Sequence, residues 1–232
     1  MDNGYLLKVI AHIRSDFKTK FGVPRQSGLV PELTADIVFE PEYSNPDALR
    51  GIEQFSHLWL IWQFSENVRK DGWSPVVRPP RLGGNKKVGV FATRSPFRPN
   101  ALGLSCVRLD GVDRDAHGSP VLHVSGADLI DSTPIFDIKP YLPFADSVPD
   151  AVGGFADEKR GYLLKVDFDE RLLGALPREK QAAAIGILAQ DPRPSYQYDP
   201  NRVYGVEFAG FDIKFTVCGD TLTVTDVEKE SE

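Results

Sequence analysis

The sequence predicts a mainly β fold followed by a small α+β domain. The first half of the chain divides into short apolar segments separated by glycine and proline, and the whole chain holds 18 prolines in 232 residues. Helix interiors do not tolerate proline, so this pattern favours sheet. Short strands at this spacing, with no long helices between them, are typical of a β-barrel or a β-sandwich.

The strand candidates of the first half include several that alternate polar and apolar residues, as half-buried strands do. The full set of strand candidates in the first half is residues 5–13, 35–39, 57–64, 88–93, 104–109, 121–125 and 135–141. Asn45 and Pro46 form a start signal for a helical turn or short helix over residues 47–55. We expect residues 6–143 to form one closed or nearly closed β unit.

The chain changes character after Ser147, which predicts a domain boundary between residues 150 and 160. The predicted division is a β-barrel domain over residues 1–150 and a small α+β domain over residues 160–232. A helix is expected over residues 177–189, because Pro177 suits a first turn and good helix formers follow it. The late strand candidates are residues 203–208, 211–217 and 221–227, with a hairpin turn at residues 218–220.

The composition is that of a globular protein. Hydrophobic residues make up 41% and charged residues 26%, which excludes a disordered chain. The sequence has no run of eighteen apolar residues and no basic region followed by an apolar stretch at its N-terminus, so we expect a cytoplasmic protein without a membrane segment. Cys106 and Cys218 lie far apart in apolar runs, and we expect both to be buried free thiols.

Charge is distributed unevenly along the chain. Between Arg69 and Arg108 there are nine basic residues and one acidic residue, a net charge of +8. The remaining 18 basic and 32 acidic residues give −14. A basic zone on an acidic body suits an anionic ligand that binds at one place. A solvated basic surface without a partner is the equally weighted alternative.

The common nucleotide, zinc-protease and serine-hydrolase motifs are absent. The sequence contains no GxGxxG after a strand, GxxxxGK[ST], HExxH or GxSxG. Its histidines, His12, His57, His117 and His123, lack the mutual spacing of metal ligands. We therefore expect no metal and no dinucleotide or nucleoside-triphosphate chemistry.

Residues 89–105, GVFATRSPFRPNALGLS, combine a stiff backbone with positive charge. Two prolines restrict the loop, and Arg94 and Arg98 can donate paired hydrogen bonds to a carboxylate or a phosphate. Phe97 could stack on a base. The alternative is a rigid turn whose arginines hydrogen-bond to carbonyl groups.

Four aspartates punctuate the otherwise apolar residues 125–147: Asp128, Asp131, Asp137 and Asp146. Buried carboxylates need partners. They either pair with the arginines of the preceding loop or accept hydrogen bonds from the ribose, amino group or ammonium of a ligand. Residues 20–29, polar at their centre and stiffened by Pro24, have the composition of a binding loop.

Six segments share an order and spacing that extend over nearly the whole chain. They are VPRQ at residues 23–26, GIEQFSHLW at 51–59, RPPRLGGN at 78–85, GVFATRSPFRPN at 89–100, DLIDSTPIFDIKPYLPFADS at 128–147 and AQDPRPSY at 189–196. Together they resemble the TsaA/TrmO family, the tRNA (adenine-37)-methyltransferases.

The resemblance implies a single-sheet β-barrel that binds S-adenosylmethionine, a small C-terminal domain, and a homodimer with its active site near the subunit contact. It also implies the reaction, which is methylation of the exocyclic nitrogen of threonylcarbamoyladenosine at position 37, in the anticodon loop of threonine tRNA. A non-catalytic module that binds S-adenosylmethionine or RNA is one alternative. An enzyme of the same fold that acts on another substrate is the second.

The resemblance further assigns roles to individual positions. The expected cofactor-binding residues are Pro24, Arg25, Gln26, Ser65, Glu66, Arg94, Leu104, Asp128, Leu129, Ile130 and Asp131. Ser65 stands where many relatives have histidine.

The acceptor nitrogen is weakly nucleophilic because its lone pair is delocalised, so a proton acceptor should assist the transfer. The candidates for this catalytic role are Asp128, Asp131, Asp137 and Tyr141. The expected substrate-binding residues are Arg98, Asn100 and Lys139, with Arg98 or Lys139 on the threonyl carboxylate. Arg193, Tyr196 and Tyr198 are expected on a tRNA or dimer surface, with a folded cap that makes no contact as the alternative.

Overall fold

The computed structural model describes residues 4–66, 73–79, 86–159, 161–194 and 199–230. Six antiparallel strands close into a barrel: β1 (Ala11–Arg14), β2 (Thr34–Phe39), β3 (His57–Gln63), β6 (Leu102–Arg114), β7 (Pro120–Ser125) and β8 (Pro134–Pro140). A short hairpin of β4 (Val76–Val77) and β5 (Val88–Gly89) lies between β3 and β6 in the chain. The order around the barrel is β1-β2-β7-β6-β3-β8, which confirms a single-sheet barrel and excludes the sandwich.

The barrel encloses a core because alternate residues of its strands are apolar and face inward. In β3, Leu58, Leu60 and Trp62 are buried while the residues between them are partly exposed. Successive side chains of a strand point to opposite faces of the sheet. All six strands contribute buried residues to this core, and each buried aliphatic side chain stabilises the fold by about 1.5–3 kcal/mol.

The second part of the chain is a small α+β unit. After α1 (Pro143–Asp146) come β9 (Lys165–Asp167), α2 (Glu170–Leu173), α3 (Arg178–Ala189), β10 (Tyr204–Phe208), β11 (Phe211–Cys218) and β12 (Thr221–Lys229). The sheet has the order β10-β11-β12-β9, and β9 pairs in parallel with β12. The expected helix and hairpin turn are present, since α3 begins after Pro177 and Gly219 and Asp220 join β11 to β12.

The connection between β1 and β2 belongs to both parts of the molecule. Phe17, Val30 and Leu33 leave the barrel and pack in the core of the second unit, where the rings of Phe17 and Phe208 lie 5.5 Å apart. Residues 17–33 precede the predicted boundary in the chain, but they pack in the core of the second unit. The division into residues 1–150 and 160–232 therefore remains a prediction.

Two glycines allow this connection to lie close against the second unit. A Cβ on Gly22, whose φ is +91°, would lie 2.7 Å from a methyl carbon of Val206 on β10. A Cβ on Gly186 of α3 would lie 2.6 Å from a methyl carbon of Val30. A salt bridge of 2.5 Å between the Lys180 Nζ and the Asp16 carboxylate adds a polar contact.

Three of the predicted elements are wrong in extent or type. Residues 5–10 are not a strand, because β2 ends at Phe39 and backbone hydrogen bonds to the neighbouring chains, to Ile135 and from Glu40, begin only at Ile10. Residues 88–93 form only the two-residue β5, and the 3-10 helix Val90–Ala92 follows it. Residues 104–109 are only part of β6, which runs from Leu102 to Arg114. The helical turn expected over residues 47–55 is present as two short 3-10 helices, Pro46–Leu49 and Ile52–Gln54, separated by Gly51 with its φ of +90°.

The prediction of two buried thiols is also wrong for Cys218, which is exposed beside the turn after β11, and Cys106 is half-buried. Burial raises the pKa of the Cys106 thiol. Within the described part of the chain, no helix is long and apolar enough to cross a membrane. Among the same residues, no three histidine, cysteine or carboxylate side chains group as a metal site would require.

Candidate functional site

A cavity of about 510 Å³ lies at one end of the barrel. The strands β1, β3 and β7 end there and β2, β6 and β8 begin there, so the connecting segments converge on its walls. The lining residues are Lys20, Val23, Pro24, Arg25, Gln26, Trp62, Phe64, Ser65, Glu66, Thr93, Arg94, Pro96, Arg98, Leu102, Gly103, Leu104, Asp128, Ile130 and Thr133. Small-molecule sites in proteins commonly measure about 300–1,000 Å³.

Two aromatic rings form the apolar part of the cavity. Trp62 and Phe64, at the end of β3, have ring centroids 4.4 Å apart. Gly103 pairs with Trp62 across β3 and β6, and a Cβ there would lie 2.2 Å from the indole. The absence of a side chain at Gly103 is therefore what allows the indole to lie flat against β6.

A hydrogen-bonded chain places one carboxylate beside these rings. The Trp62 Nε1 donates to the Ser105 Oγ over 2.9 Å, and the Ser105 hydroxyl donates to the Asp128 Oδ1 over 2.5 Å. Burial is the main cause that raises the pKa of Asp128 to about 6, while Ser105 and the charge of Arg94 oppose it. Asp128 is therefore mostly ionised at neutral pH and gains a proton readily on mild acidification.

Residues 20–26, between β1 and β2, form one wall of the cavity, which we call the anchored wall. Its far side continues into the second core through Phe17 and Val30. Ser27 fixes it to the barrel by accepting a 3.0 Å hydrogen bond from the Cys106 amide. The amide of Gly28 donates to the carbonyl of Gly126 over 2.8 Å.

Residues 93–98, before β6, form the opposite wall, which we call the loop wall. The Thr93 hydroxyl donates to the Val90 carbonyl over 2.8 Å and accepts from the Ser95 amide. Ser95 in turn accepts from the Phe97 amide. The Arg98 guanidinium donates to the Thr93 carbonyl, and the Arg94 guanidinium donates to the Gln26 side-chain oxygen across the cavity. Two cationic side chains are thereby held at the rim.

The structure brings together most of the residues expected to bind the cofactor. Nine line the cavity: Pro24, Arg25, Gln26, Ser65, Glu66, Arg94, Leu104, Asp128 and Ile130. The other two do not line it. Leu129 is buried in the barrel core, and the carboxylate of Asp131 accepts from the Ser15 amide and the Ser132 hydroxyl.

Some of the catalytic and substrate-binding candidates line the cavity, and the others lie outside it. Asp128 and Arg98 line the cavity. Asp137 and Lys139 lie on β8, facing outward, and form an ion pair of 3.1 Å. Tyr141 packs against Trp59 with ring centroids 5.9 Å apart, outside the cavity. Asn100 is exposed in the turn that leads into β6.

Sequence reasoning missed several lining residues, notably Lys20, Trp62, Phe64, Gly103 and Thr133. The alternation of β3 was a usable signal for Trp62, because it places that residue on the inner face at the end of the strand. Gly103 gave no signal of its own, since the need for a small residue depends on its cross-strand partner.

Arg193 has a structural role in the described residues. Its side chain is buried and forms two hydrogen bonds, of 2.8 and 2.9 Å, to the Asp191 carboxylate. The pKa of Arg193 is raised chiefly by this hydrogen bonding. Its expected place on a tRNA or dimer surface is therefore wrong. Tyr196 and Tyr198 lie outside the described residues.

Comparison with known proteins gives consistent matches along the chain. Residues 12–147 match the tRNA-methyltransferase O N-terminal domain, and residues 162–230 match the TrmO C-terminal domain. The tRNA (adenine(37)-N6)-methyltransferase of Escherichia coli (strain K12) is 42% identical over 225 residues, which cover 93% of this chain and 94% of that protein. RcsF of Pseudomonas aeruginosa, assigned as an S-adenosylmethionine-dependent methyltransferase, is 43% identical over 212 residues, 88% of this chain and 89% of that protein. A crystal structure of TrmO from Pseudomonas aeruginosa matches with a TM-score of 0.77 and 34% identity, covering 97% of this chain and 99% of that one.

Proposed function

Because the chain belongs to the TrmO family of tRNA methyltransferases, we propose that it methylates the exocyclic nitrogen of threonylcarbamoyladenosine at position 37 of a tRNA, with S-adenosylmethionine as donor. The observation that carries the proposal is the cavity at the barrel end, which combines a half-buried carboxylate, two cationic side chains and an aromatic pair. Threonine tRNA is the proposed substrate, its anticodon loop is the part bound, and the cytoplasm, where tRNA is used, is the proposed location.

The residues of the cavity fit S-adenosylmethionine. Its adenine needs an apolar surface, its carboxylate a cation and its ammonium and sulfonium an anion, and Trp62, Arg94 and Asp128 supply these three groups. When bound, S-adenosylmethionine supplies a methyl group on a sulfonium centre that is already strongly electrophilic. The task left for the protein is to orient the acceptor and to exclude water.

Asp128 is the proposed proton acceptor. Of the four candidates, Asp128 alone lines the cavity, and its pKa near 6 leaves it ionised at neutral pH. A base with a pKa close to the working pH is well suited to general-base catalysis. Ser105 holds the carboxylate in one orientation, because its hydroxyl is itself fixed by the Trp62 indole.

Arg98 is the proposed partner of the threonyl carboxylate. Its guanidinium lines the cavity and uses Nη1 for the Thr93 carbonyl. An arginine presents five donors, so the remaining N–H groups can bind a carboxylate in paired geometry. Lys139 is the weaker candidate because it pairs with Asp137 on the outer face of β8.

A second copy of the chain is the proposed partner of the outer face of β3 and β6. Leu104 is 51% exposed there and pairs with Ile61, whose side chain also faces outward. Exposed apolar residues beside a cavity are typical of an interaction surface. Sedimentation equilibrium should show a dimer that an Ile61→Arg variant dissociates, and a monomeric wild-type protein would contradict this part of the proposal.

The test is methyl transfer from labelled S-adenosylmethionine to purified threonine tRNA with and without the threonylcarbamoyl group, followed by nucleoside mass spectrometry. We expect methylation of the modified tRNA only, and an Arg98→Ala variant that loses the discrimination. A protein that binds S-adenosylmethionine without turnover on either tRNA would instead be a binding module. Turnover on other RNA alone would assign a different substrate.

A further inference from the structure

An aromatic pair lies on the surface beside the β4–β5 hairpin. Trp73 and Phe91 are 53% and 72% exposed, with ring centroids 6.1 Å apart and planes inclined by 31°. The pairs formed by Phe17 and Phe208 and by Tyr204 and Phe215 are buried in a core. Two large rings exposed together offer apolar area that a bound partner can cover.

In the described chain segments that carry this pair, all charged side chains are positive. Residues 73–79 and 86–109 contain no aspartate or glutamate. Arg78, Lys86 and Lys87 are exposed there and form no ion pair with another residue that the structure describes. Free cations beside exposed aromatic rings are the combination that single-stranded nucleic acid binds, through phosphate contacts and base stacking.

The aromatic pair also lies next to the cavity. Phe91 precedes the lining residue Thr93 by two positions, a chain length of at most about 7 Å. The 3-10 helix Val90–Ala92 fixes this spacing, because Val90 is buried and its carbonyl accepts both the amide and the hydroxyl of Thr93. An RNA whose target base enters the cavity would bring neighbouring nucleotides over these rings.

We propose that Trp73 and Phe91 form a stacking platform for an unpaired nucleotide next to the base that is methylated, with Arg78, Lys86 and Lys87 on the flanking phosphates. This inference rests on the proposed function and adds to it a place and a mode of RNA binding. A second copy of the chain fits this surface poorly, because a symmetric contact through it would bring the same cations together.

The test is fluorescence anisotropy with labelled threonine tRNA that carries threonylcarbamoyladenosine, over a range of salt concentrations. Removing both rings in a Trp73→Ala/Phe91→Ala variant should weaken binding by about 5- to 150-fold, the effect of losing one stacked base. The salt slope should stay unchanged in that variant. In a Lys86→Ala/Lys87→Ala variant the slope should fall by about 0.7–0.9 per cation.

The control is Phe144→Ala on α1, which removes an aromatic ring that is 87% exposed and should leave RNA affinity unchanged. Phe91→Leu keeps the apolar volume but not the ring, and it should weaken binding without altering the thermal midpoint of unfolding. Wild-type affinity in the double-ring variant would overturn the inference. So would a change in its sedimentation coefficient, which would assign the rings to a contact between copies.

The two proposals fail in different ways. Wild-type protein that binds S-adenosylmethionine but methylates no tRNA overturns the proposed function. Wild-type turnover on tRNA, together with ring variants whose tRNA affinity is unchanged, overturns the stacking platform alone.

Discussion

The two walls of the cavity carry comparable polar groups but are supported by different means. The anchored wall, residues 20–26, continues into the core of the second unit, where Phe17, Val30 and Leu33 are buried. The loop wall, residues 93–98, is held mainly by short-range hydrogen bonds through Thr93 and Ser95. Changes to the anchored wall should therefore affect the stability of the whole chain strongly, while changes to the loop wall should act mainly on binding.

The largest effect is expected for Phe17→Ala, which removes a ring that is 2% exposed. Creating such a cavity should cost about 3–5 kcal/mol of unfolding free energy. The affinity for S-adenosylmethionine should fall as well, because the anchored wall loses its support. Urea denaturation and calorimetric titration measure the two quantities. Full affinity in a destabilised protein would show that the wall is independent of the second core.

Asp128, which lies at the barrel end, is expected to make stability depend on pH. Its folded-state pKa of about 6 exceeds the ordinary value of 3.8 for an aspartate, so ionisation disfavours the folded state. The stabilising contribution of the protonated Asp128 carboxyl group is fully present below about pH 4 and is lost as pH rises through 6. The free energy of unfolding should fall by about 3 kcal/mol over this range.

Asp128→Asn should remove this dependence, as denaturation at pH 4 and pH 8 would show. Cofactor affinity should change in the opposite direction in the wild type, rising through pH 6 as the carboxylate becomes negative. The same dependence of unfolding free energy on pH in the wild type and in the variant would contradict the raised pKa of Asp128.

Gly22→Ala should destabilise by about 2 kcal/mol, because its φ of +91° disfavours a side chain and the new Cβ would meet Val206. Gly28→Ala is the matched control. Gly28 has a φ of +77° but no atom within 4 Å of an added Cβ, so that variant carries the backbone strain alone. Thermal denaturation of the two variants measures what the contact with the second unit contributes. Equal losses of stability would show that this contact contributes nothing.

The smallest effect on stability is expected for Thr93→Val in the loop wall. The variant loses the hydrogen bond to Val90 and the acceptor for the Ser95 amide, worth about 1 kcal/mol. We expect weaker binding of substrate because Arg98 donates to the Thr93 carbonyl and is less well positioned once the turn loosens. A rise in KM for tRNA with only a small fall in the midpoint of unfolding would separate this wall from the anchored one.

Much of the barrel could be predicted from the sequence because alternation is a local property. The strand at residues 57–64 and the late strands were predicted from it directly. The start of β1 could not be predicted, because a strand extends only as far as its neighbours do, and pairing with β2 begins at Ala11 opposite Phe39, where β2 ends. The helical segment at residues 47–55 is divided in two at one left-handed glycine, Gly51, which the sequence pattern did not indicate.

The site was predicted less completely, for reasons of geometry. Motif resemblance identified the segments but not which way each side chain points. Asp128 faces the cavity and Asp131 turns to the Ser15 amide, although both belong to one motif. The side chains of Asp137 and Lys139 face outward on β8. The register shift between Ile61 and Trp62, where β3 pairs with β8, helps to set this orientation.

The tight packing of Gly22 and Gly186 has a consequence for synthesis of the chain. Residues 17–33 leave the ribosome well before Val206 and Phe208, which complete their packing. A barrel could close on the nascent chain while its binding end stayed unfinished, since contacts of such long sequence separation form late. A product terminated before Val206 would then lack a competent cofactor site, so only a chain that extends past Phe208 would begin to compete for donor and tRNA.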